Sequence, residues 1–87
     1  MSDEAKNYCV YMLRCKDETL YTGITQDINK RLLEHNGSPK GAKYTRARRP
    51  VTLVYRENCE DKSTALKREH AIKKLTRTQK ETLLQTQ

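Results

Sequence analysis

Residues 8–25 read YCVYMLRCKDETLYTGIT, two apolar and aromatic runs separated by a short polar stretch. In Tyr8–Cys15 both alternating positions carry apolar or aromatic residues, which suits a central strand covered on two faces. Lys16–Thr19 turns the chain, and Leu20–Thr25 returns with β-branched and aromatic residues as an antiparallel partner. A hairpin is therefore expected. Whether Tyr11 and Tyr21 share a face of it stays open. A four-residue loop pairing Cys15 with Leu20 places them on opposite faces, whereas an odd connection or a bulge brings them together. Gly23, inside the second run, marks a bulge or a close approach of backbone or ligand.

Outward from the hairpin, Asp27 caps a helix from Ile28 to about Asn36, with Ile28 and Leu32 spaced for burial and Gly37 ending it. Residues 37–50, GSPKGAKYTRARRP, hold both prolines and two of the three glycines, so a long loop without regular structure is expected there. Val51–Glu57 reads as a third strand, alternating Val51, Leu53 and Tyr55 against Thr52, Val54 and Arg56. Asp61 or Ser63 caps a helix to about Leu75, and Thr76–Gln79 has the capping-box pattern of a last helix ending near Leu84. The order β-β-α-β-α-α predicts an α+β fold, a small three-stranded antiparallel sheet flanked by helices. Residues 1–87 are expected to form a single domain with its core at about 8–84.

A chain of 87 residues supports one core, and with 34% hydrophobic residues and neither Trp nor Phe that core is thin. No apolar run approaches the roughly 20 residues of a membrane helix. Met1–Asn7 lacks the layout of a signal peptide, so a cytoplasmic location is expected. Cys9, Cys15 and Cys59 are odd in number and fall outside CxxC or zinc-finger spacing, which argues against a disulfide scaffold or a metal knuckle; they read as small buried hydrophobes. The net charge of +7 is unevenly spread. Gly37–Pro50 carries Lys40, Lys43, Arg46, Arg48 and Arg49 with no acid, and Lys62–Lys80 carries seven bases against Glu69 alone. The remainder is net acidic, so the molecule is electrically two-sided, as a polyanion-binding surface requires.

Several residues do not suit a purely structural role. Glu69 falls on the apolar stripe Ala65, Leu66, Ile72 and Leu75, where an unpaired charge is costly; it pairs there with a cation, a donor or a metal, or sits at the edge bonded to Lys73. Arg31 and His35, one turn apart, lean toward the core side of the first helix, where both are positioned to grip phosphate oxygens. His35 also suits the helix C-terminus by the dipole alone.

Together these positions resemble the GIY-YIG nuclease superfamily, in its small bacterial single-domain branch, over roughly residues 8–84. Cys9-Val10-Tyr11 stands for the first motif, with Cys9 where the family has Gly, and Tyr21-Thr22-Gly23 for the second. Arg31, His35 and Glu69 follow in order, with the GAKYTR loop at 41–46 and the KREHAIKKL helix at 67–75; no Asn follows Glu69. The resemblance implies a metal-dependent endonuclease hydrolysing phosphodiester bonds in DNA, or in RNA, with one Mg2+ or Mn2+ held by Glu69 as sole protein carboxylate; DNA repair or processing is the expected setting, and a monomer the expected state. It further implies Tyr11 as general base, its phenolate favoured by surrounding cations, Tyr21 orienting water or phosphate, and Arg31 with His35 neutralising charge on the phosphate. Lys40, Lys43, Tyr44, Thr45, Arg46, Arg48, Arg49 and Lys73 are the expected nucleic-acid contacts. Two other readings stay open: a non-catalytic nucleic-acid-binding module with the same fold, and a protein-interaction domain whose basic face meets an acidic partner.

Overall fold

A computed structural model describes residues 7–86. The elements in chain order are β1 (Tyr8–Arg14), β2 (Leu20–Thr25), α1 (Ile28–Gly37), α2 (Lys43–Arg46), β3 (Thr52–Cys59), α3 (Lys62–Lys73) and α4 (Arg77–Leu84). The strands form one antiparallel sheet in the order β2-β1-β3, so the apolar run of 8–14 is central, as its sequence requires. Against the expected order, the one addition is α2, a single helical turn inside the basic loop.

The register answers the question the hairpin left open. Arg14 pairs with Leu20, leaving the odd connection 15–19, so Leu13 faces Tyr21 and Tyr11 faces Gly23 on the same side of the sheet. Glu18 closes that turn with φ 70, and Asp17 Oδ1 accepts from both the backbone and the hydroxyl of Thr19.

Alternation along β1 divides the core in two. Cys9, Tyr11, Leu13 and Cys15 face α1, packing with Ile28, Val51, Tyr21, Leu32 and Leu53. Val10 and Met12 face the other way, onto Ala65 and Ile72 of α3, with Tyr55, Cys59, Leu83 and Leu84. The expected single-face alternation of Val51, Leu53 and Tyr55 is broken. Met12 pairs with Tyr55 but Leu13 with Leu53, so Val54 is an extra residue that sends Val51 and Leu53 to one core and Tyr55 to the other. All three cysteines are free and buried, as small apolar side chains.

The caps match the sequence. Asp27 accepts from the Lys30 amide, Asp61 from the Thr64 amide, and Thr76 with Gln79 completes a reciprocal capping box. Leu66, expected in the α3 stripe, is instead 45% exposed; the face that packs is the narrower line of Ala65 and Ile72. Among the described residues no helix is long and apolar enough to cross a membrane.

Candidate active site

Tyr11 sits mid-strand on β1, and its ring crosses the sheet toward the outer strand. Gly23 is what makes that crossing possible: a Cβ there would lie 2.6 Å from the Tyr11 hydroxyl and 2.8 Å from its Cζ. The interior glycine thus serves a close approach rather than a bulge. Beneath the two strands, α1 brings up His35, and the Tyr11 hydroxyl lies 2.8 Å from its Nε2. Tyr21 packs against both, its ring 6.4 Å from that of Tyr11 and 5.2 Å from the imidazole.

The direction of the hydrogen bonds follows from counting protons. The Thr45 hydroxyl donates to the Ala42 carbonyl at 2.9 Å, so its oxygen is left to accept from His35 Nδ1 at 2.8 Å. A neutral imidazole with its proton on Nδ1 has a lone pair on Nε2, and Tyr11 therefore donates to it. The Ala42 amide also approaches Nδ1, at 3.5 Å, too long to compete with the 2.8 Å bond. The network thus assigns one chain, Tyr11 to His35 to Thr45 to the Ala42 carbonyl.

Burial sets the charge states along this chain. His35 and Thr45 have no exposed surface and Tyr11 almost none. Desolvation, helped by Arg31 and Arg49, holds the His35 imidazole down to about 4. Desolvation also pushes the Tyr11 phenol up to about 12, against the pull of the Arg31 guanidinium. The expected cation-stabilised phenolate is therefore corrected: at neutral pH Tyr11 keeps its proton because burial outweighs the nearby charge. His35 is corrected likewise, since a buried neutral ring offers no surface to a phosphate.

Arg31 lies at the rim. Its Nη1 donates to Glu34 Oε1 at 2.9 Å and to the Lys40 carbonyl at 2.8 Å. It also lines a polar hollow of about 310 Å³ with Thr25, Gln26, Asp27, Lys30 and Glu34. Glu34, whose carboxyl Arg31 holds below its usual range, was missed by the sequence reading, although its i+3 spacing from Arg31 is the signal that finds it.

The basic loop divides by role. Lys40, Lys43 and Arg46 are exposed and Tyr44 is 38% exposed. Thr45 points inward and supports His35 instead of meeting a strand. Arg49 is also turned inward, its guanidinium donating to the carbonyls of Glu34, His35 and Ser38 at the end of α1. Arg48 stacks on the Tyr44 ring with its Cζ 3.9 Å from the centroid.

The structure brings together Tyr11, Tyr21, His35, Tyr44 and Thr45, with Arg31 beside them. Glu69 is carried by a different element. It lies between Ala65 and Ile72 on α3, the helix packed on the sheet face opposite Tyr11, and its Oε2 is 3.3 Å from Lys73 Nζ. Among the described residues no three His, Cys, Asp or Glu side chains group to hold a metal. The Glu69 side chain keeps 18% of its surface, and one carboxylate suffices for an ion that retains most of its water, so the residue fits hydrated Mg2+ or Mn2+.

Residues 7–82 match the GIY-YIG catalytic domain family. A UPF0213 protein of Desulfotalea psychrophila is 63% identical over 75 residues, covering 86% of this chain and 68% of that protein. One from Natronomonas pharaonis is 51% identical over 80 residues, covering 92% and 93% respectively. Among solved structures, the chain is similar to the solution NMR structure of a UPF0213 protein from Bacillus halodurans, at 43% identity and TM-score 0.61, covering 93% of this chain and 85% of that one. A solution NMR structure of a protein from E. faecalis matches at 46% identity and TM-score 0.65, covering 98% and 90%.

Proposed function

Because the chain belongs to the GIY-YIG family, whose domain has a nuclease-like fold, we propose that it is a metal-dependent endonuclease hydrolysing phosphodiester bonds in DNA, as a monomer in the cytoplasm. The observation that carries this reading is the buried chain from Tyr11 through His35 to Thr45, with Arg31 at its rim. The unpaired cysteines support the reducing setting.

A phenol has one proton to donate. With that proton donated in the hydrogen bond to His35 Nε2, the Tyr11 oxygen presents only lone pairs to an incoming water, which then donates to Tyr11 and turns its own lone pair to phosphorus. When Tyr11 takes the water's proton, its original proton passes to Nε2, so no free phenolate is needed. Tyr21 orients the water or the phosphate by its hydroxyl. Arg31, helped by Lys30 across the polar hollow, meets the non-bridging oxygens with fixed positive charge. Glu69 would hold Mg2+ or Mn2+, which when bound polarises the phosphate and stabilises the leaving oxygen. Lys40, Lys43 and Arg46 grip the backbone on either side.

The test is incubation with labelled single-stranded, duplex and branched DNA and RNA, in Mg2+, Mn2+ or chelator. Wild type is expected to cleave only with metal. Tyr11→Phe should lose about 10²–10⁴-fold in rate, the usual worth of a general base. Glu69→Ala should bind but not cleave.

One observation favours a second reading. Glu69 is bonded to Lys73 on a helix covering the face opposite Tyr11, an arrangement that suits a non-catalytic nucleic-acid-binding module. Tight binding by wild type without product under every condition would decide for it.

A further inference from the structure

Arg48 is held in an unusual way for a nucleic-acid-facing arginine. Its Nε donates to Asp17 Oδ2 at 3.0 Å and its Nη1 to the Tyr44 carbonyl at 2.9 Å. Two in-plane positions of the guanidinium fork are thereby occupied, and its charge is offset by a carboxylate. A guanidinium meant to clamp phosphate presents that fork edge-on. Here the guanidinium carbon sits over the Tyr44 ring, 3.9 Å from its centroid, and Tyr44 stacks in turn on Tyr21, with centroids 5.9 Å apart and planes 29° from parallel. The layers Tyr21, Tyr44 and Arg48 thus run outward from the Tyr11–His35 cluster. The Arg48 side chain, the outermost of the three, keeps 35% of its surface.

We propose that the face of Arg48, held over the Tyr44 ring and anchored by Asp17, is a stacking platform for an unpaired nucleobase. Paired bases within a duplex have both faces covered by their neighbours, whereas bases in single strands, bulges or flaps offer a face to a planar cation or ring. The substrate class is therefore nucleic acid with an unpaired nucleotide beside the scissile phosphate. The inference rests on the nuclease reading for its biological sense but is tested by binding alone.

The probe is a single-stranded DNA oligomer containing 2-aminopurine, compared with its fully paired duplex, in chelator so that nothing is cut. Wild type is expected to prefer the single strand, with 2-aminopurine emission quenched on binding. Arg48→Lys keeps the charge and removes the plane; its single-strand affinity should fall about tenfold, within the usual worth of one stacked base, with duplex affinity unchanged. Asp17→Ala separates stacking from charge. It raises the net positive charge while freeing the guanidinium, so stacking predicts weaker single-strand binding and pure electrostatics predicts tighter binding to both forms. Melting curves matching wild type verify that both variants are folded. Equal affinity of wild type for the two forms, equal loss on both in Arg48→Lys, or tighter binding to both in Asp17→Ala overturns the platform and leaves the nuclease reading standing. Absence of binding to either form overturns both.

Discussion

Two buried groups at the site titrate in opposite senses, and each limits stability at one end of the pH scale. His35 is held down from 6.5 to about 4, so between these values the unfolded chain binds more protons than the folded one. Stability from this group is complete above about pH 6.5 and is lost as pH falls toward 4. Tyr11 is raised from 10.0 to about 12, so the unfolded chain ionises first and stability declines as pH rises from 10 toward 12. Melting temperature against pH should therefore show a plateau with two flanks. His35→Gln should flatten the flank between 6.5 and 4, and Tyr11→Phe the one between 10 and 12. An acid flank unchanged in His35→Gln would show that the imidazole is not buried neutral. Of these roles, the sequence made only part legible. Gly23 stood out as a glycine where a strand wants a side chain, and it does lie under Tyr11. The partners of His35 did not stand out, because Thr45 and the Ala42 carbonyl arrive from a loop whose one helical turn leaves no periodic signal.

At the level of elements, local chemistry was readable and parity was not. The bounds of β2 and the three N-caps follow from residue types acting within four positions. The shared face of Tyr11 and Tyr21, by contrast, hangs on whether the turn holds four or five residues, and composition does not fix that count. The bulge at Val54 was hidden for the same reason, since one added residue reverses an alternation that reads as regular. Arg49 shows how a charge run conceals a structural part. Its guanidinium answers three carbonyls at the end of α1, beside Asn36, which exchanges two bonds with the backbone of Val51. Arg49→Ala removes the guanidinium donor of the His35 carbonyl, while the Glu34 and Ser38 carbonyls keep the amides of Ser38 and Gly41; it should cost about 1–3 kcal/mol in chemical denaturation, with no change in the salt dependence of DNA binding. A variant as stable as wild type but with a shallower salt slope would instead place Arg49 on the nucleic acid.

Across the whole molecule, the sheet separates two kinds of work. One face carries the Tyr11–His35 cluster, the stacked rings and the exposed bases of the 37–50 loop; the other carries α3 and α4, tied to β1 by a two-pronged bond from Arg14 to Glu81. That pair holds the Glu81 carboxyl down to about 2, adding a loss of stability as pH falls below 4.5. The charge asymmetry read from the sequence survives folding in part: Lys40, Lys43 and Arg46 remain exposed, while Arg48 and Arg49 are engaged within the chain. Hydrolysis at Tyr11, with Glu69 contributing from α3, is the claim on which the account stands, and the fate of oxygen tests it most directly. Cleavage of a DNA substrate in water enriched in 18O, with Mg2+ or Mn2+ present, is expected to put one heavy oxygen on the product phosphate, with product formation lost in chelator, in Glu69→Ala and in Tyr11→Phe. A DNA–protein adduct through tyrosine, or product that forms equally in all three controls, would contradict it.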